Sequence, residues 1–205
     1  MLEAVQRGLE QLYRIQTDLD VRDFVIDEET RDRFGVARAA REQLLVSEAD
    51  GHVHLALFVD DAALSNLSAN DPRRGLDGNN FQDFLLTVEG VSHFVYVAWR
   101  ARQGRPVSAF ELELQAEVDK YVTCVLMGGG ERLVPRLFDE WTLAPGMDEA
   151  ERERYLAANS NARAYARSLE ARFVLRGEML GMLEELRRFY RMGAGDKLSA
   201  IRRAA

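Results

Sequence analysis

The chain contains three histidines, His52, His54 and His93, and their surroundings decide what chemistry they could support. His52 and His54 stand two apart in a segment that reads as a strand, so both side chains leave the same face, a spacing suited to strand-borne zinc ligands. His93 follows Glu89 by four residues in a helical stretch, which puts those two on one helix face. Three imidazoles and a carboxylate would hold a zinc-like divalent metal, and with one position open and Glu89 or Glu117 as base the set would suit a metal-assisted hydrolase or lyase. Against this stands the turn beside His52, where strand faces are commonly wet. Solvated imidazoles explain the His52/His54 pair equally well.

A second grouping follows from a helical hairpin folded at Gly104. Antiparallel helices on either side would bring Glu89 and His93 level with Glu113, Glu117 and Asp119, a juxtaposition of the kind used in bundle metal sites. Those sites use Glu-x-x-His, however, whereas Glu89-Gly90-Val91-Ser92-His93 is one residue longer and has no second copy. At 100° per residue, Gln82, Glu89, His93 and Arg100 also align as one polar stripe on an otherwise apolar helix. That stripe could floor a polar pocket or simply reach water. The run Gly128-Gly129-Gly130 lacks the Lys-Ser or Lys-Thr of a phosphate loop and reads as a link. Cys124 has no histidine near it in sequence, its neighbours Val122, Val125 and Leu126 are apolar, and it reads as an inert buried thiol.

The elements that must position these groups are mostly helical. Leu2, Val5, Leu9 and Leu12 recur at helical spacing. Residues 23–26 read as a short strand, and Asp27-Glu28-Glu29 opens a short helix closed by Gly35. Gln43 to Glu48 and Val53 to Val59 flank Asp50-Gly51, a pair that favours a two-residue hairpin turn, with Val53, Leu55, Leu57 and Val59 predicted to cover the core. Asp60 caps a short helix through Leu67, and Ser68 to Asn80 reads as the longest loop. Phe81 to Ala101 is apolar nearly all round, the mark of a central buried helix. Ser108 and Glu111 stand as a capping box for the next helix, although Phe110 to Leu114 also alternates as an edge strand would. Pro135 interrupts a short helix that ends at Trp141. Asp148 then opens a helical tail with breaks expected at Asn159-Ser160-Asn161 and Gly193-Ala194-Gly195. Within the tail, Leu183 is predicted to pack against the bundle between Leu180 and Leu186. The expected fold class is mostly α with a small β-hairpin (α+β), a helical bundle around the central helix 81–101. It forms a single domain over 1–205, with a helix-plus-hairpin part at 1–67 and a helical part at 79–205.

Composition bounds the function. With 205 residues, 47% hydrophobic and 30% charged, the chain can bury a core without disulfides or a structural metal. Its single cysteine excludes a disulfide framework and points to the cytoplasm. The first residues lack the apolar core of a signal peptide. Asp83, Glu89, His93 and Arg100 exclude Phe81 to Ala101 as a membrane span, since each costs roughly 2.5 to 3.5 kcal/mol at a bilayer centre on insertion scales. From Arg163 to Ala205 ten basic residues face five acidic ones, a net +5 that leaves −12 of the overall −7 to the rest. That acidic remainder argues against nucleic acid as a partner. The expectation that follows is a non-catalytic adaptor or regulatory protein. It would bind another protein, or a second copy of itself, through Arg73, Arg74, Trp141, Arg187, Arg188 and Arg191, with no cofactor beyond the zinc-like ion of the enzyme alternative.

Overall fold

The computed structural model describes residues 1–35, 40–129, 132–140 and 146–204. The fold is mostly α with one small sheet. Helix α1 (Leu2–Tyr13) buries the predicted stripe of Leu2, Val5, Leu9 and Leu12, and Arg14 in the left-handed conformation ends it. A 3₁₀ turn over Val21–Phe24 leads into strand β1 (Val25–Ile26), and Asp27 caps α2 (Glu28–Arg33). Strands β2 (Glu42–Ala49) and β3 (His52–Val59) then form the hairpin. Its turn is the expected one, with Asp50 and Gly51 both at positive φ, 52° and 72°. The hairpin does not stand alone, because β1 pairs parallel to β3 and gives the order β1-β3-β2.

The hairpin covers the core with one end only. Leu57 and Val59 are buried, while Val53 is 42% exposed, so the predicted apolar face of β3 is wet beyond Leu55. The other helices follow as α3 (Asp61–Ala69), α4 (Phe81–Ala101), α5 (Ala109–Leu126), α6 (Leu133–Phe138), α7 (Glu149–Arg172), α8 (Met179–Arg191) and α9 (Ala194–Ala204). Asp60 caps α3, Ser108 caps α5 and Asp148 caps α7 in a complete capping box with Glu151. Phe110 to Leu114 is helix, so the edge-strand alternative fails. No helix among the described residues is long and apolar enough to cross a membrane.

Helix α4 packs against α1, α3, α5 and both hairpin strands. Gly90 allows that closeness. A Cβ there would lie 2.8 Å from Cγ of Glu42 and 3.1 Å from Cδ1 of Leu57. Glycine inside a helix costs about 1 kcal/mol relative to alanine, and here it makes room for the start of β2.

The tail differs from expectation in three places. Helix α7 runs unbroken through Asn159-Ser160-Asn161; Asn159 is buried, and the Asn161 amide donates back to the Ala157 carbonyl. Packing of α7 against α5 overrides the weak local preference. The break comes instead after Arg172, where a 3₁₀ turn ends at Gly177 in the left-handed region. The buried face of α8 is Met182, Leu186, Phe189 and Tyr190; Leu183, half-buried, packs against the core as predicted, whereas Leu180 is 80% exposed. The third difference concerns the tail arginines. Arg187 Nε donates to the Leu12 carbonyl at 2.9 Å, and Arg191 Nη2 donates to the Tyr13 carbonyl at 3.0 Å. Both cations therefore cap the carboxyl end of α1, where a positive charge is favoured, with Arg187 half-buried and Arg191 still exposed. Leu186→Ala should destabilise the protein by about 2 to 5 kcal/mol, and Leu180→Ala should stay within about 0.5 kcal/mol of wild type. Urea unfolding of the two variants checks this; equal losses would contradict the assignment of the buried face.

Candidate metal centre

Glu89 and His93 leave the same face of α4, and α5 runs alongside with Glu113 and Glu117 turned toward them. One ligand atom from each of Glu89, His93 and Glu113 lies within 4.8 Å of the other two. His93 Nε2 is 3.6 Å from Glu113 Oε2, and its Nδ1 is 3.5 Å from Glu42 Oε1. Both gaps are too long for good hydrogen bonds. His93 Nε2 and Glu42 Oε1 are buried and make no hydrogen bond.

Lys120, one turn beyond Glu117, closes the other side. Its Nζ donates to Glu117 Oε1 at 2.7 Å and to Glu89 Oε2 at 2.9 Å. Tyr155 on α7 sets its hydroxyl against Glu113. The six charged or ionisable side chains of Glu42, Glu89, His93, Glu113, Glu117 and Lys120 are between 6% and 19% exposed, so water screens them little.

The charges in this cluster do not balance. Four carboxylates face one ammonium and one imidazole, which leaves two negative charges even with His93 protonated. Burial raises the carboxyl pKa of Glu42, with His93 opposing, and burial likewise raises Glu117 against the pull of Lys120. Burial also acts on Glu89, but Lys120 and His93 outweigh it and lower its pKa. For His93, burial disfavours the charged ring; Glu113 and Glu42 overcome that and raise its pKa well above the ordinary value. Lys120 is held charged in the same way, with Glu117 and Glu89 outweighing its burial. One imidazole nitrogen and two carboxylates form a ligand set suited to a zinc-like ion, whose ligand bonds of about 2.0 to 2.2 Å would draw these atoms together.

The sequence candidates separate into those this cluster collects and those it does not. Glu89, His93 and Glu117 meet as the helical hairpin predicts. His52 and His54 do not join them. They lie at the exposed outer end of the hairpin. Glu42 pairs with Val59, five residues beyond His54, which puts His54 roughly 16 Å from that end at about 3.3 Å per residue. The set of three histidines is thus replaced by one histidine with carboxylates. Gln82 is exposed, and Arg100 turns away from the cluster to Glu111. Of the partner-binding candidates, Arg73 is paired with Asp71, Arg188 with Glu185, and Arg73 and Arg74 line a surface groove with Met1, Leu9 and Leu126. Trp141 lies outside the described residues. Cys124 is fully buried, and burial pushes its thiol up to about 12, consistent with an inert core residue.

A second buried polar network occupies the opposite side of the α4–α5 seam, and most of it was not foreseen. Asp119 accepts from the Tyr13 hydroxyl, from Ser92 Oγ at 2.5 Å and from Gln115 Nε2 at 2.7 Å. Lys197 of α9 donates to Gln115 Oε1 at 2.7 Å and to the Tyr96 hydroxyl at 2.9 Å. Glu111 reaches inward to accept from Tyr96, from Arg100 at 3.2 Å and from the Ala194 amide at 3.2 Å, so its side chain does not complete the capping box expected with Ser108. These bonds tie α1, α4, α5 and α9 together. The only sequence signal was spacing, since Ser92, Tyr96 and Arg100 match Glu111, Gln115 and Asp119 at four-residue steps.

Burial pushes Asp119 up to about 6, against the hydrogen bonds of Ser92, Tyr13 and Gln115, and it pulls Lys197 down to about 7, against Glu111 and Asp119. Both shifts cost stability relative to unfolded values of about 3.9 and 10.4. The Asp119 cost appears as pH rises from about 4 to 6. The Lys197 cost is fully present below about 7 and is relieved as pH rises toward 10, because over that range the unfolded chain binds more protons than the native one. Wild type should therefore gain on Lys197→Met by an amount on the order of a few kcal/mol between pH 7 and 10, measured by urea unfolding at the two pH values. A difference that does not change with pH would contradict the burial of a neutral lysine.

Comparison with protein-family models, with curated proteins and with solved structures finds no match for this chain.

Proposed function

We propose that the protein is a metal-assisted hydrolase or lyase that binds one divalent ion of the zinc class through Glu89, His93 and Glu113. The observation that carries this reading is the buried, unbonded Nε2 of His93, facing Glu113 with Glu89 in reach. A buried polar atom without a partner is costly, and a cation would satisfy it together with the surplus carboxylate charge. Three protein ligands of nitrogen and oxygen type, with no thiolate, resemble catalytic more than structural zinc sites, because a fourth position is left for water. Glu89 and Glu117 are the more exposed members of the cluster, so water enters from their side. Glu117, which Lys120 holds in place, is the neighbouring carboxylate outside the ligand set and would take the proton from a bound water.

Protein-protein contact is the second reading. It is supported by Leu175 and Leu180, which are 77% and 80% exposed at the corner between α7 and α8. Isolated exposed leucines are common on monomers, so this support is weaker than that of the buried cluster.

Protein purified without an affinity tag should carry about one equivalent of divalent metal by elemental analysis. His93→Ala should weaken metal binding by more than the roughly 10- to 100-fold that outer-shell changes cost, and should abolish any turnover of ester, amide or phosphoester substrates. Substoichiometric metal, unchanged in His93→Ala, would end the metal reading.

A further inference from the structure

We propose that Glu42 is the positioning residue of this centre: from strand β2 it accepts the Nδ1–H of His93 and so presents Nε2 to the ion held with Glu89 and Glu113. This rests on the metal reading above and adds to it the group that orients the histidine.

The two nitrogens of His93 point to opposite sides. Nε2 faces Glu113 Oε2 at 3.6 Å on α5, and Nδ1 faces Glu42 Oε1 at 3.5 Å on the sheet. A histidine bound to metal through one nitrogen commonly donates the other N–H to a carboxylate or carbonyl, which fixes the tautomer and the ring angle. Glu42 is suited to that task because Oε1 is buried without any hydrogen bond and the side chain is only 8% exposed.

The surrounding chain holds Glu42 in place. Its backbone pairs with Val59 at the end of the hairpin. The preceding residue, Arg41, donates from Nε to Asp60 Oδ2 at 2.7 Å and from Nη2 to Asp83 Oδ1 at 2.9 Å, which ties the start of β2 to the first turn of α4. Gly90 then leaves the space that the Glu42 side chain fills, since any Cβ there would fall 2.8 Å from Cγ and 2.9 Å from Oε1. An alanine at Gly90 would push the carboxylate off the histidine without touching a ligand.

The test is cobalt(II) binding to the purified full chain, read as a dissociation constant and as the visible ligand-field spectrum. Glu42→Ala should weaken binding by about 10- to 100-fold with the band pattern retained, because the ligands are unchanged. Glu42→Gln should recover most of the loss, since its carbonyl accepts the same proton. Gly90→Ala should resemble Glu42→Ala. Wild-type affinity in Glu42→Ala would overturn the proposal while leaving the metal centre standing. So would a Glu42→Gln variant as weak as Glu42→Ala with an altered spectrum, which would make Glu42 a ligand. A wild-type protein that takes up no cobalt would remove the metal reading itself, and this proposal with it.

Discussion

Four carboxylates buried against two basic groups, where α4, α5 and the start of β2 meet, set the constraint on which the account depends. In water, charges at these separations would interact by about 1 kcal/mol; in a partly dry interface they cost or contribute several times that. A helix pair can bring such groups together only if something compensates them. Lys120 does so for Glu89 and Glu117. Glu113 and Glu42 share the one imidazole of His93, at distances where neither bond is well made, and Glu113 has besides it only the neutral hydroxyl of Tyr155. Burial raises the pKa of Glu42 against the pull of His93, as expected for a carboxylate this poorly paired. A divalent ion, if bound, would remove this deficit by supplying the missing charge and the missing partner for Nε2.

The network around Asp119 shows what a settled buried cluster looks like in this fold. Both Asp119 oxygens accept hydrogen bonds, and Lys197 bonds Gln115 and Tyr96 while lying over the Tyr96 ring. Arg100 alone keeps unpartnered nitrogens there. The two clusters share the α4–α5 seam but differ in kind. One links four helices through nearly complete hydrogen bonding, and its burial suits a structural lock. The other leaves its central histidine nitrogen unbonded and places its most exposed members, Glu89 and Glu117, toward solvent.

Much of the scaffold was legible because its signals are local. Asp50-Gly51 marks the hairpin turn, Ser108 and Asp148 mark helix starts, and the apolar run of Phe81 to Ala101 marks α4 to the residue. The meeting of Glu89 and His93 with Glu113 and Glu117 was legible for a similar reason, since antiparallel helices joined by a short link must align positions about equally far from the turn. Glu42 was not legible. A glutamate at the start of a strand looks alike whether it faces water or a histidine, and only the tertiary approach of β2 to Gly90 distinguishes them. Lys197 was hidden in the same way, a lone lysine in a basic tail whose burial depends on α9 folding back over Tyr96. The three-histidine set was misread because the spacing of His52 and His54 defines a face but not how far along the hairpin that face stays covered.

A cation that completes the Glu89, His93 and Glu113 cluster would couple its binding to folding, and this linkage is the most direct test. Urea unfolding of metal-free protein should shift on addition of zinc by about 2.7 kcal/mol once free metal reaches a hundred times its dissociation constant, and the shift should vanish in His93→Ala. Wild-type unfolding curves that superimpose with and without zinc, or a shift of equal size in His93→Ala, would contradict the account.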